Sequence, residues 1–279
     1  DSRAVPFQGL TVLPFPDIQE LNSTPRKFIF PQHLYSYMNE QKLYRNLAKY
    51  YDLIYHDKDY EGEVERVEDL ISEYKRTEGS KLLDVGCGSG GHLKYLKEDF
   101  ACTGMDVNEG ILERAREKVE GVDFIQGDMT DFSLDEKFDV ITCLFSSIGY
   151  VKTKSKLGKT LNNFYRHLKE GGVVIIEPWF DESSFNEGNV DLKIYENDDV
   201  KVIRASMSTK EGKQSVIKMH YVIARGDVGI EHHREEHRMG LFDVDETLEL
   251  VEKTGFYAEY LEEGLRDDGE RGVFVGVKV

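Results

Sequence analysis

The chain has 279 residues, 39% of them hydrophobic and 32% charged, enough apolar material for one large domain with a sub-domain. Its 53 acidic residues against 36 basic ones leave a net charge of −17, a balance that repels a phosphate backbone and excludes nucleic acid as the expected partner. No apolar run is long enough to span a bilayer and no basic head followed by an apolar stretch opens the sequence, so no membrane or secretory role is indicated and a cytoplasmic location is expected.

Five of the six prolines (Pro6, Pro14, Pro16, Pro25, Pro31) fall in the first 31 residues, where no helical or alternating period is sustained. Residues 1–31 are therefore read as an extension outside the core, poorly structured by expectation. The core begins over residues 32–179. It opens with a Tyr- and Leu-rich helical stretch, Gln32 to Tyr55, then an amphipathic helix whose apolar face carries Val64, Val67, Leu70, Ile71 and Tyr74.

Lys81-Leu-Leu-Asp-Val-Gly-Cys-Gly-Ser-Gly-Gly-His92 follows, a short apolar run that ends on a carboxylate and breaks into glycines. That is a strand, a tight turn and a helix start, with a ligand expected against the turn. Gly86, Gly88 and Gly91 satisfy G-x-G-x-x-G, so a dinucleotide has to be weighed. A pyrophosphate needs bare N–H groups at a helix N-terminus, and Asp84, two residues before the first glycine, works against such an anion. Asp84 suits a ligand carrying positive charge, as the ammonium and sulfonium of S-adenosylmethionine do. Asp106 closes the next run, Ala101-Cys-Thr-Gly-Met-Asp106, where a ribose-binding acid belongs in either cofactor class. Val122-Asp-Phe-Ile-Gln-Gly-Asp128-Met129 closes a third, and there an acid can accept from an adenine amino group while the methionine packs on the ring. The plainer reading of these acids is helix capping.

Between these runs, Asn108 caps a helix carrying Ile111, Leu112, Ala115 and Val119 and stopped by Gly121. A fourth strand, Phe138–Leu144, precedes a helix with Leu157, Leu161, Phe164 and Leu168 that ends at Gly171-Gly172, and Val173–Glu177 makes a fifth strand. Such alternation means an α/β fold, a doubly wound Rossmann-like seven-stranded sheet with its ligand crevice at the strands' carboxyl ends. Residues 180–242 change character. Runs such as Ser215-Val-Ile-Lys-Met-His-Tyr-Val-Ile223, after the turn-like Lys210-Glu-Gly-Lys213, read as an inserted antiparallel β meander, a lid or a homodimer surface. Within it, His232, His233 and His237 match no known ligand spacing and are read as solvated strand residues, so no metal is assigned. Residues 243–279 complete the core sheet with a helix from Asp245 to Thr254, a strand near Tyr257–Leu261 and the final run Gly272–Val279. Cys87, Cys102 and Cys143 are odd in number and include no C-x-x-C spacing, the usage of buried thiols in a reduced compartment.

Three strand ends in order, each closing on an acid, resemble the class I S-adenosylmethionine-dependent methyltransferases from about Tyr50 to the C-terminus. The resemblance implies a cofactor-binding set of Tyr60, Asp84, Gly86, Cys87, Gly88, Asp106, Val107, Asp128, Met129 and Leu144. More specifically, Tyr51-Asp-Leu-Ile-Tyr55, Lys58-Asp-Tyr60, Phe145-Ser-Ser-Ile-Gly-Tyr150, Gly172-Val-Val-Ile-Ile-Glu-Pro-Trp179 and Arg271-Gly-Val-Phe-Val-Gly276 are similar to the sugar N,N-dimethyltransferases that finish macrolide aminosugars such as desosamine and mycaminose. That similarity implies methylation of an amino group on a small polar acceptor, a nucleotide-linked sugar. It sets Tyr55 and Tyr150 as the catalytic pair beside the amine, and Ser146, Ser147, Trp179, Arg204 and Arg271 along the substrate.

In-line methyl transfer asks for alignment and a free lone pair on the nucleophile, so a protonated amine must first shed a proton, and a Tyr hydroxyl or His imidazole can orient the neutral form. Plainer readings make Tyr55 and Trp179 packed aromatics and the two arginines surface charges. The loop Gly264–Gly272 sets Asp267, Asp268 and Glu270 where the resemblance would put a diphosphate. Three other readings stay open: a small-metabolite N- or O-methyltransferase acting on an amino acid or similar acceptor, a nicotinamide oxidoreductase, which Asp84 disfavours, and a non-catalytic cofactor-binding subunit.

Overall fold

The computed structural model describes residues 48–266 and 271–279. The 1–31 extension, the helical stretch as far as residue 47, and Asp267, Asp268 and Glu270 of the acidic loop lie outside the described residues.

Two helices precede the sheet, α1 (Ala48–Ile54) and α2 (Tyr60–Tyr74). Asp59 caps α2, its carboxylate accepting from the Gly62 amide at 3.0 Å, and the apolar positions Val64, Val67, Leu70 and Ile71 are buried. Next come β1 (Lys81–Val85), the single turn α3 (Leu93–Leu96), β2 (Ala101–Asp106), α4 (Glu109–Lys118), β3 (Asp123–Gln126), β4 (Phe138–Cys143), α5 (Lys154–His167) and β5 (Leu168–Ile176). After a second sheet, α6 (Val244–Thr254), β10 (Phe256–Leu261) and β11 (Val273–Lys278) close the fold.

The large sheet has the order β10-β11-β5-β4-β1-β2-β3. β11 lies antiparallel to both neighbours and the other pairs are parallel, so the doubly wound sheet carries one reversed strand that alternation alone does not reveal. Strands covered by helices on both faces read as continuous apolar runs, and all six residues of β4 are buried. Each side chain such as Leu83 or Ile141 taken fully from water contributes roughly 1.5–3 kcal/mol. Sequence order reverses between β1 and β4, which opens the crevice at their carboxyl ends.

The largest difference from the expected boundaries lies at the fifth strand. α5 stops at His167, and β5 starts at Leu168 rather than Val173, because Leu168 already pairs with Phe138. Residues 169–172 then bulge before pairing resumes at Val140 and Val173, with Gly171 at φ +76°.

Between β5 and α6 the chain lays down β6 (Val190–Glu196), β7 (Val200–Glu211), β8 (Gln214–Arg225) and β9 (Gly229–Gly240), a four-stranded antiparallel sheet in sequence order. Its period-two pattern makes two faces. On one, Val202, Tyr221 and Ile223 pack with Tyr50, Tyr51 and Ile54 of α1 and Ile111 of α4. On the other, Val190, Leu192, Ile194, Ile203, Met207 and Val222 are exposed. No helix among the described residues is long and apolar enough to cross a membrane.

Candidate active site

β1 delivers Asp84 to the switch point, 1% exposed and in register with Thr142 of β4, whose hydroxyl donates to it at 2.8 Å. Burial pushes its carboxyl up to about 6, against the opposing pull of His92 and the Thr142 hydrogen bond. A carboxyl in this position gains from a neighbouring cation and loses from an anion.

The glycine turn follows. Gly88 has φ +55° with open space where a side chain would stand, so its backbone requires glycine and leaves a cradle beside the cavity. Its N–H donates to Asp106 at 3.1 Å, and the Asn108 N–H donates to the other carboxylate oxygen at 2.9 Å. Burial raises the Asp106 carboxyl while these amides pull it down. Asp128 lies exposed after β3, with the Thr130 N–H and hydroxyl both donating to Oδ1 at 2.8 Å. Cys87 is buried, as are Cys102 and Cys143, and burial pushes all three thiols up, Cys102 to about 12. A cradle at Gly88 and two buried acids fit an adenosyl ligand with a cationic end.

The wall of the cavity after β4 starts from a strained turn. Phe145 and Ser146 sit at φ 50° and φ 60°, left-handed backbone that costs a non-glycine residue roughly 1–3 kcal/mol each. Residues from the end of β5 hold them there: the Phe145 N–H donates to Glu177 at 2.6 Å and the Ser146 hydroxyl to the Pro178 carbonyl at 2.7 Å. The Ser147 hydroxyl donates to the Gly86 carbonyl at 3.1 Å, tying the same turn to the glycine loop. Ser-Ser-Ile-Gly-Tyr and Glu-Pro-Trp are thus one device. A Cβ on Gly149 would stand 2.9 Å from Met239 Cε and 3.1 Å from Trp179 Cβ, which accounts for the glycine by close approach. Trp179 donates its indole N–H to Ser215 at 2.9 Å, and the Arg271 guanidinium lies over the Trp179 and Phe180 rings and 3.7 Å from Glu177.

Two tyrosine hydroxyls face this turn from opposite supports. Tyr55, just past α1, accepts from Arg204 Nη1 at 3.1 Å, and Arg204 is paired in turn with Asp191 at 2.5 Å. Burial raises the Tyr55 phenol and the Arg204 cation pulls it down. The Tyr150 hydroxyl lies 2.6 Å from His237 Nδ1, whose Nε2 lies 3.1 Å from Glu235. Tyr60 packs its ring edge-on to His92 and over Gly91, and below it Glu63 joins His92 at 2.7 Å and Lys58.

The expected cofactor residues and Tyr55, Tyr150, Ser146, Ser147, Trp179 and Arg271 all line one cavity of about 370 Å³, with Val107 and Leu144 in its wall. Arg204 does not line it and stands behind Tyr55. The reading of His237 as solvated is corrected: it is 1% exposed and lines the cavity, because the second sheet folds that face inward. Tyr51, Met219, Tyr221 and Met239 also reach the cavity without having been singled out. Tyr51 stands one helical turn before Tyr55, and Glu235, His237 and Met239 share a period of two, so a spacing signal existed for each. Among the described residues, no three His, Cys, Asp or Glu side chains cluster as metal ligands.

Comparison with known proteins places these features in context. Residues 82–172 match a family described as methyltransferase domain. The chain is 37% identical over 233 residues to the dTDP-3-amino-3,4,6-trideoxy-alpha-D-glucopyranose N,N-dimethyltransferase of Streptomyces venezuelae, spanning 82% of this chain and 97% of the relative. The crystal structure of Streptomyces venezuelae DesVI matches with a TM-score of 0.77 at 36% identity, covering 83% of this chain and 98% of that one. S-adenosylmethionine-bound CalS10, an amino pentose methyltransferase of Micromonospora echinaspora, matches at 0.73 and 28%, covering 84% and 97%.

Proposed function

The chain belongs to the S-adenosylmethionine-dependent methyltransferase family of the dTDP-aminosugar N,N-dimethyltransferases, and from that premise we propose that it methylates, once or twice, the amino group of a dTDP-linked aminosugar. The observation that carries this reading is one cavity lined both by Asp84, Gly88 and Asp106 and by Tyr55, Tyr150 and residues of the second sheet, and we read the first set as its cofactor half and the second as its acceptor half. When bound, S-adenosylmethionine supplies a methyl group on a positively charged sulfur.

In this reading Asp106 accepts from the ribose hydroxyls, Asp84 faces the ammonium, and Asp128 with Met129 holds the adenine. Gly86, Cys87, Val107, Leu144 and Tyr60 complete that half. Tyr55 and Tyr150 orient the amine. Ser146 and Ser147 border the sugar, and Trp179 and Arg271 face the nucleotide diphosphate, to which a guanidinium gives charge-assisted hydrogen bonds. Arg204 acts through Tyr55, whose ring and hydroxyl it fixes. Incubation with labelled S-adenosylmethionine and either a dTDP-linked 3-amino sugar or a panel of free amines and amino acids tests the acceptor. Label in the nucleotide sugar is the expected result; label in free amines alone would move the protein to small-metabolite methylation. Tyr55→Phe and Tyr150→Phe should each slow turnover with cofactor affinity nearly intact, and an unchanged kcat in both would return the tyrosines to packing.

The outward face of the second sheet supports a homodimer as part of the same proposal. Ile194, Ile203 and Val222 stand side by side across β6, β7 and β8, with the pair Val190 and Met207 two rows away, all exposed. A contiguous exposed apolar strip is what a self-complementary two-fold contact covers.

A further inference from the structure

We propose that Asp52 is a positioning residue that couples the two sides of the cavity: through the Ser89 hydroxyl it ties α1, and with it Tyr51 and Tyr55, to the glycine loop, so that a cofactor seated on that loop strengthens the hold on the acceptor. The inference rests on the cofactor and acceptor placement proposed above. One carboxylate gathers three donors from the loop and from α4. Ser89 Oγ donates to Asp52 Oδ1 at 2.7 Å, Lys118 Nζ reaches the same oxygen at 2.7 Å, and Arg114 Nε reaches Oδ2 at 3.1 Å. Burial pushes the Asp52 carboxyl up, but the Lys118, Ser89 and Arg114 bonds outweigh it and hold it below the ordinary value, so the group is ionised at neutral pH.

α1 needs such a tie. A helix of seven residues has too few internal hydrogen bonds to hold its own place, and its orientation comes from what it packs on. Its side chains divide three ways. Tyr50 and Ile54, four apart, share an apolar cluster with Val202, Tyr221 and Ile223 of the second sheet. Tyr51 and Tyr55, also four apart, line the cavity with ring centres 4.8 Å from each other, and the Tyr55 ring meets Phe145 edge-on. Asp52 turns instead to the glycine loop and α4. Apolar packing sets how deep the helix lies, while the directional bonds of Asp52 set its rotation, on which the aim of both phenol rings depends.

The other end of the tie is built on glycine. Ser89 is 1% exposed and stands between Gly88 at φ +55° and Gly90 at φ +76°. A Cβ on Gly90 would stand 3.1 Å from Val119 Cγ2, so the loop passes close against the end of α4 that supplies Lys118. Glycine loses more conformational freedom on ordering than any other residue, which makes this loop the costly part of the site to fix. A cofactor resting on Gly86–Gly88 supplies that ordering, Ser89 is then held as a donor to Asp52, and the acceptor meets a Tyr55 already aimed. Linkage makes the effect reciprocal: the acceptor strengthens cofactor binding by the same factor.

The test is calorimetric binding of a dTDP-linked 3-amino sugar with and without saturating S-adenosylhomocysteine, for the unmodified protein, Ser89→Ala, Asp52→Ala and the double variant, with the Tm of each measured alongside. We expect the sugar to bind the S-adenosylhomocysteine complex of the unmodified protein about tenfold more tightly than the free protein, and the ratio to fall toward one in both single variants. Ser89→Ala removes one hydroxyl and leaves Asp52 with its two cations, so it separates the loop bond from the support of the fold. The double variant should show the ratio of Asp52→Ala, because both changes break one connection. A merely structural role lowers Tm and leaves the ratio as it was; that result in Ser89→Ala overturns the coupling, and so does a ratio of one in the unmodified protein. Should Asp52→Ala fail to fold, Ser89→Ala decides by itself. A sugar that is bound and methylated with an unchanged ratio is a failure of the coupling alone, whereas a sugar neither bound nor methylated overturns the acceptor reading and the coupling with it.

Discussion

Asp84 is buried and receives a hydroxyl hydrogen bond from Thr142, so its carboxyl titrates at about 6 rather than at 3.8. Because the folded value lies above the ordinary one, the stabilisation it contributes is complete below pH 3.8 and is lost as pH rises through about 6. At pH 7 the ionised group therefore costs the unliganded fold roughly 3 kcal/mol, and a cation beside it removes that cost. Affinity for S-adenosylmethionine should be constant above about pH 7 and weaken below about pH 6, by at most about tenfold per pH unit, as calorimetry across that range will measure. Asp84→Asn should raise Tm at pH 7 while weakening cofactor binding; a lower Tm with unchanged affinity would contradict the role. Asp106→Ala should weaken the cofactor about ten- to a hundredfold, since a hydrogen bond to a charged group is worth about 1.5–3 kcal/mol. Both acids were legible because each ends an apolar run. His237 was not: in Glu235-Glu-His-Arg238 either phase of the alternation is charged, and only the element that covers the sheet decides which phase faces inward.

The turn after β4 is the element on which both halves of the cavity depend. Glu177 accepts the Phe145 N–H and faces Arg271, so Glu177→Ala leaves a half-buried donor without its carboxylate and releases two left-handed residues. We expect a stability loss of about 1–3 kcal/mol by denaturant titration, and a larger fall in kcat than in S-adenosylmethionine affinity, because the proposed function sets Ser146 and Tyr150 in the acceptor half. A variant that loses cofactor affinity and turnover in equal measure would make the turn a general support. Strand and helix alternation read the elements of the large sheet directly, since each strand is a short apolar run and α4 and α6 carry side-chain caps. The reversal of β11 was hidden, as an apolar strand buried on both faces looks the same in either direction. So was the early start of β5, whose Gly171-Gly172 resembles a helix stop but serves a bulge.

At the scale of the molecule, the second sheet sets Arg204, Tyr221 and His237 toward the cavity side and Leu192, Ile194 and Ile203 toward the exterior. Replacing Leu192 and Ile203 together by Asp should leave cofactor affinity unchanged while light scattering falls from twice the chain mass to the chain mass. A doubled mass in that variant would move the contact elsewhere. Side chains in these strands change faces at every residue, so a single residue inserted within β8 or β9 would turn His237 or Tyr221 outward and bring Arg238 or Val222 in. Change in strand length is therefore restricted to even steps, while the turns at Gly212 and at 226–228 are free of that parity. A change of acceptor on such a scaffold is therefore expected from exchange of inward residues at fixed register, with the length of the long strands unchanged.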